Sequence, residues 1–267
     1  MSNVYTHGHH ESVLRSHRWR TAENSAGYLL PHLAPGTRVL DVGCGPGTIT
    51  MDLAELVGPD GRVTALERGE AALDLARAEA ARRKAVNVDF TVGDVQALQL
   101  EQDAFDVVHA HQVLQHVDDP VRALSEMRRV CRAGGLVAAR DSDYPAFAWH
   151  PEIPELDRWL EVYLDLARSN DAEPAAGRRL LSWALAAGYT DVAAGSSTWC
   201  FTTAPEREWW GGLWAERVVD SDLARQAVDR GLSTEAELAD IASGWRQWAD
   251  QPDGWFSVLH GEILARA

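Results

Sequence analysis

Three stretches of this 267-residue chain place acids and glycines where strands should end. The first is Asp41-Val42-Gly43-Cys44-Gly45-Pro46-Gly47, which closes the apolar run Thr37–Val42. Glycines let a backbone approach a ligand closely, and the helix that follows presents unpaired N–H groups. A dinucleotide fingerprint, G-x-G-x-x-G, would need a glycine where the chain has Thr48. The pattern is instead D-x-G-x-G-x-G. A carboxylate at Asp41 would repel a pyrophosphate and suits a ligand that presents an amino group. Glu67 closes the next run. Its two oxygens can accept both hydroxyls of a ribose, with Arg68 flanking a base. Gly93-Asp94-Val95 closes a third, where Asp94 can accept an amino hydrogen of adenine and the next N–H can face a ring nitrogen. Past the fourth run, His111 and His116 are placed nearest a ligand cleft. Each element also has a plain alternative: a tight turn, an exposed strand-end acid, or a packed or capping histidine.

These residues need strands and helices to position them. Strands are expected at 37–42, 62–67, 88–93, 105–110 and 136–141. Helices are expected at 48–57, stopped by Gly58-Pro59-Asp60-Gly61, and at 70–85. Asp119-Pro120 starts another, with Asp as N-cap and Pro at the first helical position. Residues 20–33 end in an apolar, helical stretch that Pro31 stops. Strands alternating with helices imply right-handed crossovers and a parallel sheet, with ligands beyond the strands' carboxyl ends.

Taken together, VLDVGCGPGT, Glu67, GD at 93–94, FDVVHAHQVLQHV and the RAGG turn at 132–135 resemble class I S-adenosylmethionine-dependent methyltransferases. The resemblance covers about residues 36–141 and is nearest to the ubiquinone/menaquinone-biosynthesis-like (type 11) branch, with its many actinobacterial small-molecule enzymes. It implies an α/β, Rossmann-like, seven-stranded and mostly parallel sheet with an antiparallel last strand, to which the stretches 142–177 and 205–251 add helical cap insertions. Trp255–Ala267 is read as that strand, with 188–203 beside it. It also implies Asp41, Gly43, Gly45 and Gly47 around the methionine part, Glu67 on ribose, and Asp94 with Val95 on adenine. Arg20 is a candidate for the methionine carboxylate. S-adenosylhomocysteine is the implied product, and no metal is expected.

Tryptophan is unevenly spread. Of 11 Trp only Trp19 precedes residue 149, against 5 Phe and 5 Tyr in the whole chain. An inserted helix is expected at 153–169, and 178–187 reads as the helix before the sixth strand. A longer insertion, 205–251, opens on a helix with Trp209, Trp210, Leu213 and Trp214. It closes on one that begins with the capping box Thr234-x-x-Glu237 and carries Trp245 and Trp248, read as cap core. A Trp-rich cap gives an apolar wall with indole N–H donors, suited to a flat or aromatic substrate. Trp149, Trp183, Trp210 and Trp214 are the candidate substrate contacts. Tyr5, His10, Asp143 and Tyr144 are the candidates for removing an acceptor's proton. The resemblance makes 1–35 a helical lid, around a cofactor core at 36–145, with an insertion at 146–177, more core at 178–204, the cap at 205–251 and the final strand at 252–267.

Composition bounds the partners. A formal charge of −15 argues against nucleic acid and anionic membranes. Three scattered cysteines fit a reducing cytosol. No secretory leader or apolar run long enough for a bilayer is visible. The expectation is a cytoplasmic monomer or homodimer acting on a small molecule, with indoles among the acceptors the cap suits. The rival readings are a nicotinamide-dependent reductase and a non-catalytic S-adenosylmethionine-binding module. Against the reductase, Lys84 is the only lysine, so the chain has no Tyr-x-x-x-Lys pair.

Overall fold

The computed structural model describes residues 11–267. After α1 (Glu11–Arg18) and α2 (Ala22–Ala26) come β1 (Arg38–Val42), α3 (Thr48–Val57), β2 (Arg62–Glu67), α4 (Glu70–Arg83) and β3 (Val88–Val92). Then follow β4 (Phe105–His111), α5 (Pro120–Val130), β5 (Cys131–Ser142), β6 (Ala148–His150), α6 (Pro154–Ser169), α7 (Ala176–Ala186) and β7 (Val192–Phe201). The chain ends with α8 (Ala204–Asp220), α9 (Asp222–Asp229), α10 (Glu235–Ala249) and β8 (Trp255–Arg266).

The sheet has eight strands in the order β3-β2-β1-β4-β5-β8-β6, with β7 also pairing β8. β1 to β5 pair in parallel. β8 runs against β5, because Ala267 bonds Gly134 and Gly135 while Asp143 N donates to Leu259 O. The expected Rossmann-like architecture is therefore present, with one strand more than the seven anticipated. That strand, β6, is a three-residue edge on β8, too short to leave a periodic pattern.

Two compact units divide the chain. The sheet unit comprises residues 17–141, 176–197 and 260–267. Its strands bury Val39, Val63, Val107 and Ala138 against α2 and α3, and Leu40, Val108, Val137 and Ile263 against α5 and α7. The aromatic unit comprises residues 142–175 and 198–259 with the segment that ends at Ser16. Its helices α6, α8 and α10 carry Trp159, Trp214, Trp245 and Trp248, all at most 1% exposed.

Several expected boundaries shift. The stretch 20–33 is not one helix; α2 stops at Ala26, and a separate 3-10 turn at Leu30–His32 holds Pro31 at its first turn. β5 starts at Cys131 rather than 136, because pairing resumes on both sides of a register shift between Phe105 and Val107. Thr234 caps α10 as expected, but Glu237 does not complete the box. Its carboxylate pairs with Arg158 and accepts from Ser233, which holds its pKa down at about 2.

Candidate active site

The glycine loop is built from backbone that most residues would strain. Gly43, Gly45 and Gly47 have φ of 65°, 53° and 82°. A side chain at Gly43 would lie 2.4 Å from Val113, and one at Gly47 would lie 3.1 Å from the Ala76 backbone. Gly43 N and Cys44 N both donate to Leu66 O, at 2.7 and 3.1 Å, tying the loop to β2. No side chain caps α3, so its first N–H groups are left to the loop side.

Asp41 sits beneath this loop, 3% exposed. Thr50 Oγ donates to its Oδ2 at 2.6 Å, and His109 Nδ1 lies 2.8 Å from Oδ1. His109 is fully buried, and its Nε2 has no hydrogen-bond partner among the described residues. Glu67 is half-buried and turned onto the loop, accepting from Gly45 N at 3.2 Å and Arg68 N at 2.7 Å. The Arg68 side chain is exposed. Asp94 accepts from Gln96 N at 2.9 Å and caps a short turn whose first residue, Val95, is 5% exposed. Burial, then Asp41 and Glu67, push the Cys44 thiol far above its ordinary pKa.

Beyond β4 lies a second polar set. Gln112 adopts a left-handed φ of 54° and donates its N–H to Arg140 O at 2.7 Å. Arg20 donates to Gln112 Oε1 at 2.6 Å, and Gln112 Nε2 lies 2.9 Å from His260 Nε2. The rings of His111 and His260 stack with centroids 6.0 Å apart. Burial, then Arg20 and Arg140, hold the His111 pKa well below the ordinary value. Burial and Arg20 bring His116 down to about 4. Both are neutral at pH 7. Asp141, fully buried, accepts from Gln115 N at 3.1 Å. Desolvation raises its pKa to about 7, against the opposing backbone bonds and Arg140.

In the aromatic unit, Asp143 and Tyr144 are 2% and 6% exposed. Tyr144 stacks on Tyr163 at 3.9 Å and leans on Phe147. Trp149 stacks on Phe256 at 5.7 Å, Trp210 on Phe201 at 4.4 Å, and Trp214 meets the Trp159 edge at 4.6 Å. The indole N–H groups of Trp159, Trp210 and Trp245 have no hydrogen-bond partner among the described residues. Trp183 lies elsewhere, packed on the sheet unit's core cluster that includes Leu180, Ala184 and Tyr189. Tyr5 and His10 fall outside the described residues.

A glycine loop at the end of β1, with acids ending β2 and following β3, is matched by a family model described as a methyltransferase domain, over residues 33–178. An uncharacterised methyltransferase of Schizosaccharomyces pombe is 34% identical, over 97% of this chain and 95% of its own. The chain belongs to the methyltransferase-domain family. A protein of Aspergillus luteorubrus bearing the name "Probable methyltransferase ltbC" is 30% identical over 99% of this chain and 97% of its own. A phosphoethanolamine N-methyltransferase of Haemonchus contortus, solved with S-adenosylhomocysteine, has the same fold. Its TM-score is 0.55 at 18% identity, over 88% of this chain and 49% of that longer one.

The protein is thus an S-adenosylmethionine-dependent methyltransferase. The donor set fits that cofactor. A side chain built at Gly45 meets nothing nearer than His17 Nδ1 at 4.0 Å, so the loop leaves room above it. Glu67 ends β2 and Asp94 follows β3, the strand paired beside it. No cluster of three metal-ligating side chains occurs among the described residues, and no helix there is long and apolar enough to cross a membrane.

The sequence reading missed His109, Gln112, Arg140, Asp141 and His260. Strand alternation could have found His109. It faces the same side as Asp41, its neighbour in the β1–β4 register. His260 carries no local signal, since β8 meets Gln112 only in the folded sheet.

Proposed function

We propose that this methyltransferase methylates a small aromatic molecule, indoles included, by in-line displacement. The observation that carries the reading is the aromatic unit. Its rings follow directly in the chain from Asp143 and Tyr144, where β5 ends, and they form a contiguous buried cluster in which the indole N–H groups of Trp159, Trp210 and Trp245 have no partner among the described residues. Indoles with free donors suit flat, partly polar molecules.

The cofactor supplies a methyl group already activated on a sulfonium. The protein's task is alignment and exclusion of water, which can contribute about 7–11 kcal/mol. Gly43, Gly45 and Gly47 approach the methionine part, with Asp41 holding the loop from beneath through Thr50 and His109. Glu67 takes the ribose, with Asp94 and the Val95 N–H on adenine. Neutral His111 and His116 add no positive charge near a sulfonium. Trp149, Trp210 and Trp214 contact the acceptor, and Asp143 or Tyr144 takes its proton where the acceptor is a phenol, amide or indole. The enzyme works in the cytoplasm as a monomer or homodimer.

The test is transfer of labelled methyl from S-adenosylmethionine to a panel of indoles, phenols and aliphatic amines. Label in the aromatic compounds and not the amines is expected. Transfer to the amines alone would overturn the substrate class. Binding of S-adenosylhomocysteine with no transfer to any compound would make the protein a binding module. Glu67→Ala should weaken S-adenosylhomocysteine about tenfold by calorimetry, at the loss of roughly 1.4 kcal/mol. Unchanged affinity would remove its ribose role.

A further inference from the structure

The polar set beyond β4 has only one consistent arrangement of protons. An arginine has five N–H donors and no acceptor. The group of Gln112 that faces Arg20 at 2.6 Å is therefore its amide oxygen. This fixes the amide nitrogen toward His260 Nε2, 2.9 Å away. An amide NH2 only donates, so Nε2 must hold a lone pair. His260 is then a neutral imidazole with its proton on Nδ1. The order of donation runs one way, from Arg20 through Gln112 to His260.

Gln112 is also the member whose backbone is fixed most tightly. Its left-handed φ of 54° and its N–H bond to Arg140 O hold it at the turn out of β4. Non-glycine residues kept in that region cluster at functional sites. The other two members come from distant parts of the chain, Arg20 ahead of α2 and His260 on β8.

We propose that Gln112 is a positioning residue for the cofactor. It holds the Arg20 guanidinium at the end of β4, ready for the carboxylate of the methionine part, and it imposes the Nδ1–H form on His260. This rests on the reading of the sheet unit as the S-adenosylmethionine site.

Two measurements test it on the full-length protein. The first is the long-range 1H–15N spectrum of the histidines at pH 7.5 without cofactor, with His260→Asn used for assignment. The His260 pattern should show Nδ1 protonated. In Gln112→Glu the side chain can only accept, so the His260 proton should move to Nε2 or be joined by a second. A wild-type pattern with Nε2 protonated, or a Gln112→Glu pattern identical to wild type, overturns the proposal. The second is calorimetry with S-adenosylhomocysteine and with 5′-methylthioadenosine, which lacks the methionine carboxylate. Gln112→Ala should weaken the first tenfold or more and the second less than twofold. Equal losses for both, or no loss for either, overturn the positioning role. Failure of both ligands to bind the wild-type enzyme overturns the cofactor reading instead, and the histidine spectrum still decides the proton order.

Discussion

The sheet unit and the aromatic unit differ in what fills their interiors. In the sheet unit, several buried polar groups answer one another, while Tyr28 OH, His109 Nε2, Gln115 Oε1 and Asp141 Oδ2 have no partner among the described residues. Asp41 is bonded by Thr50 and His109, and Arg140 Nε reaches Ser197 Oγ at 3.1 Å and Glu262 Oε1 at 3.0 Å. Burial costs Arg140 enough to lower its pKa to about 10 even beside Glu262. In the aromatic unit, rings answer rings. Trp159, Trp214 and Trp245 meet edge to face or stacked within 4.6–5.9 Å, and two of their three indole N–H groups lack a partner among the described residues. Directional bonds fix atoms to fractions of an ångström but fail when one member is lost. Ring packing gives large dispersion energy with less demand on orientation.

The comparison can be broken at its strongest point with Trp245→Ala. Removing a fully buried indole should cost about 3–5 kcal/mol in urea unfolding. A near-neutral change would mean that the ring serves substrate rather than the core. Asp41→Ala probes the other unit. It strands the Thr50 hydroxyl and His109 Nδ1 in the interior, and roughly 2–6 kcal/mol should be lost at about 1–3 per unsatisfied group. Stability within about 0.5 kcal/mol of wild type would show the buried bonds to be incidental.

Asp141→Asn sharpens the electrostatic side. The folded-state pKa of Asp141 is raised to about 7. The native state therefore binds this proton more tightly than the unfolded chain does. Its contribution is intact below the unfolded value near 4 and is lost as pH rises toward 7. At about 1.4 kcal/mol per pH unit for one proton, wild type should lose about 2 kcal/mol between pH 5 and 7 that Asp141→Asn retains. Parallel stability profiles for the two proteins would remove the assignment. The smallest effect belongs to Glu237→Gln on α10. Its pKa is depressed, so its stabilisation is present above the unfolded value and fades as pH falls toward 2. An ion pair this exposed is worth about 1 kcal/mol or less, and the thermal midpoint at pH 7 should move by a few degrees at most.

The same division explains what could be read from the chain. β2 and α3 lie where the glycine and proline punctuation put them, Arg62–Glu67 and Thr48–Val57. Asp119 caps α5 with Pro120 in the first turn, as local chemistry dictates. Local rules failed where pairing is nonlocal. Gly134 and Gly135 read as a stop, yet they lie within β5 because Ala267 pairs with both. α9 was missed although Leu223, Ala224, Ala227 and Val228 recur at helical spacing, because the helix spans only 8 residues. The acids Asp41, Glu67 and Asp94 were legible since each lies at or just past the end of its own strand. The set of Arg20, Gln112 and His260 was not, since only the fold brings residues 20, 112 and 260 together. Trp183 shows the limit of composition. It shares the half of the sequence rich in indoles but packs with aliphatic residues in the sheet unit.

Cys44 gains a meaning from its neighbours in the glycine loop. Cysteine attacks as the thiolate. The two carboxylates that order this loop, Asp41 beneath it and Glu67 across it, join burial in keeping the Cys44 sulfur protonated. Burial and the two acids that shape the loop thus keep a thiolate out of the glycine turn.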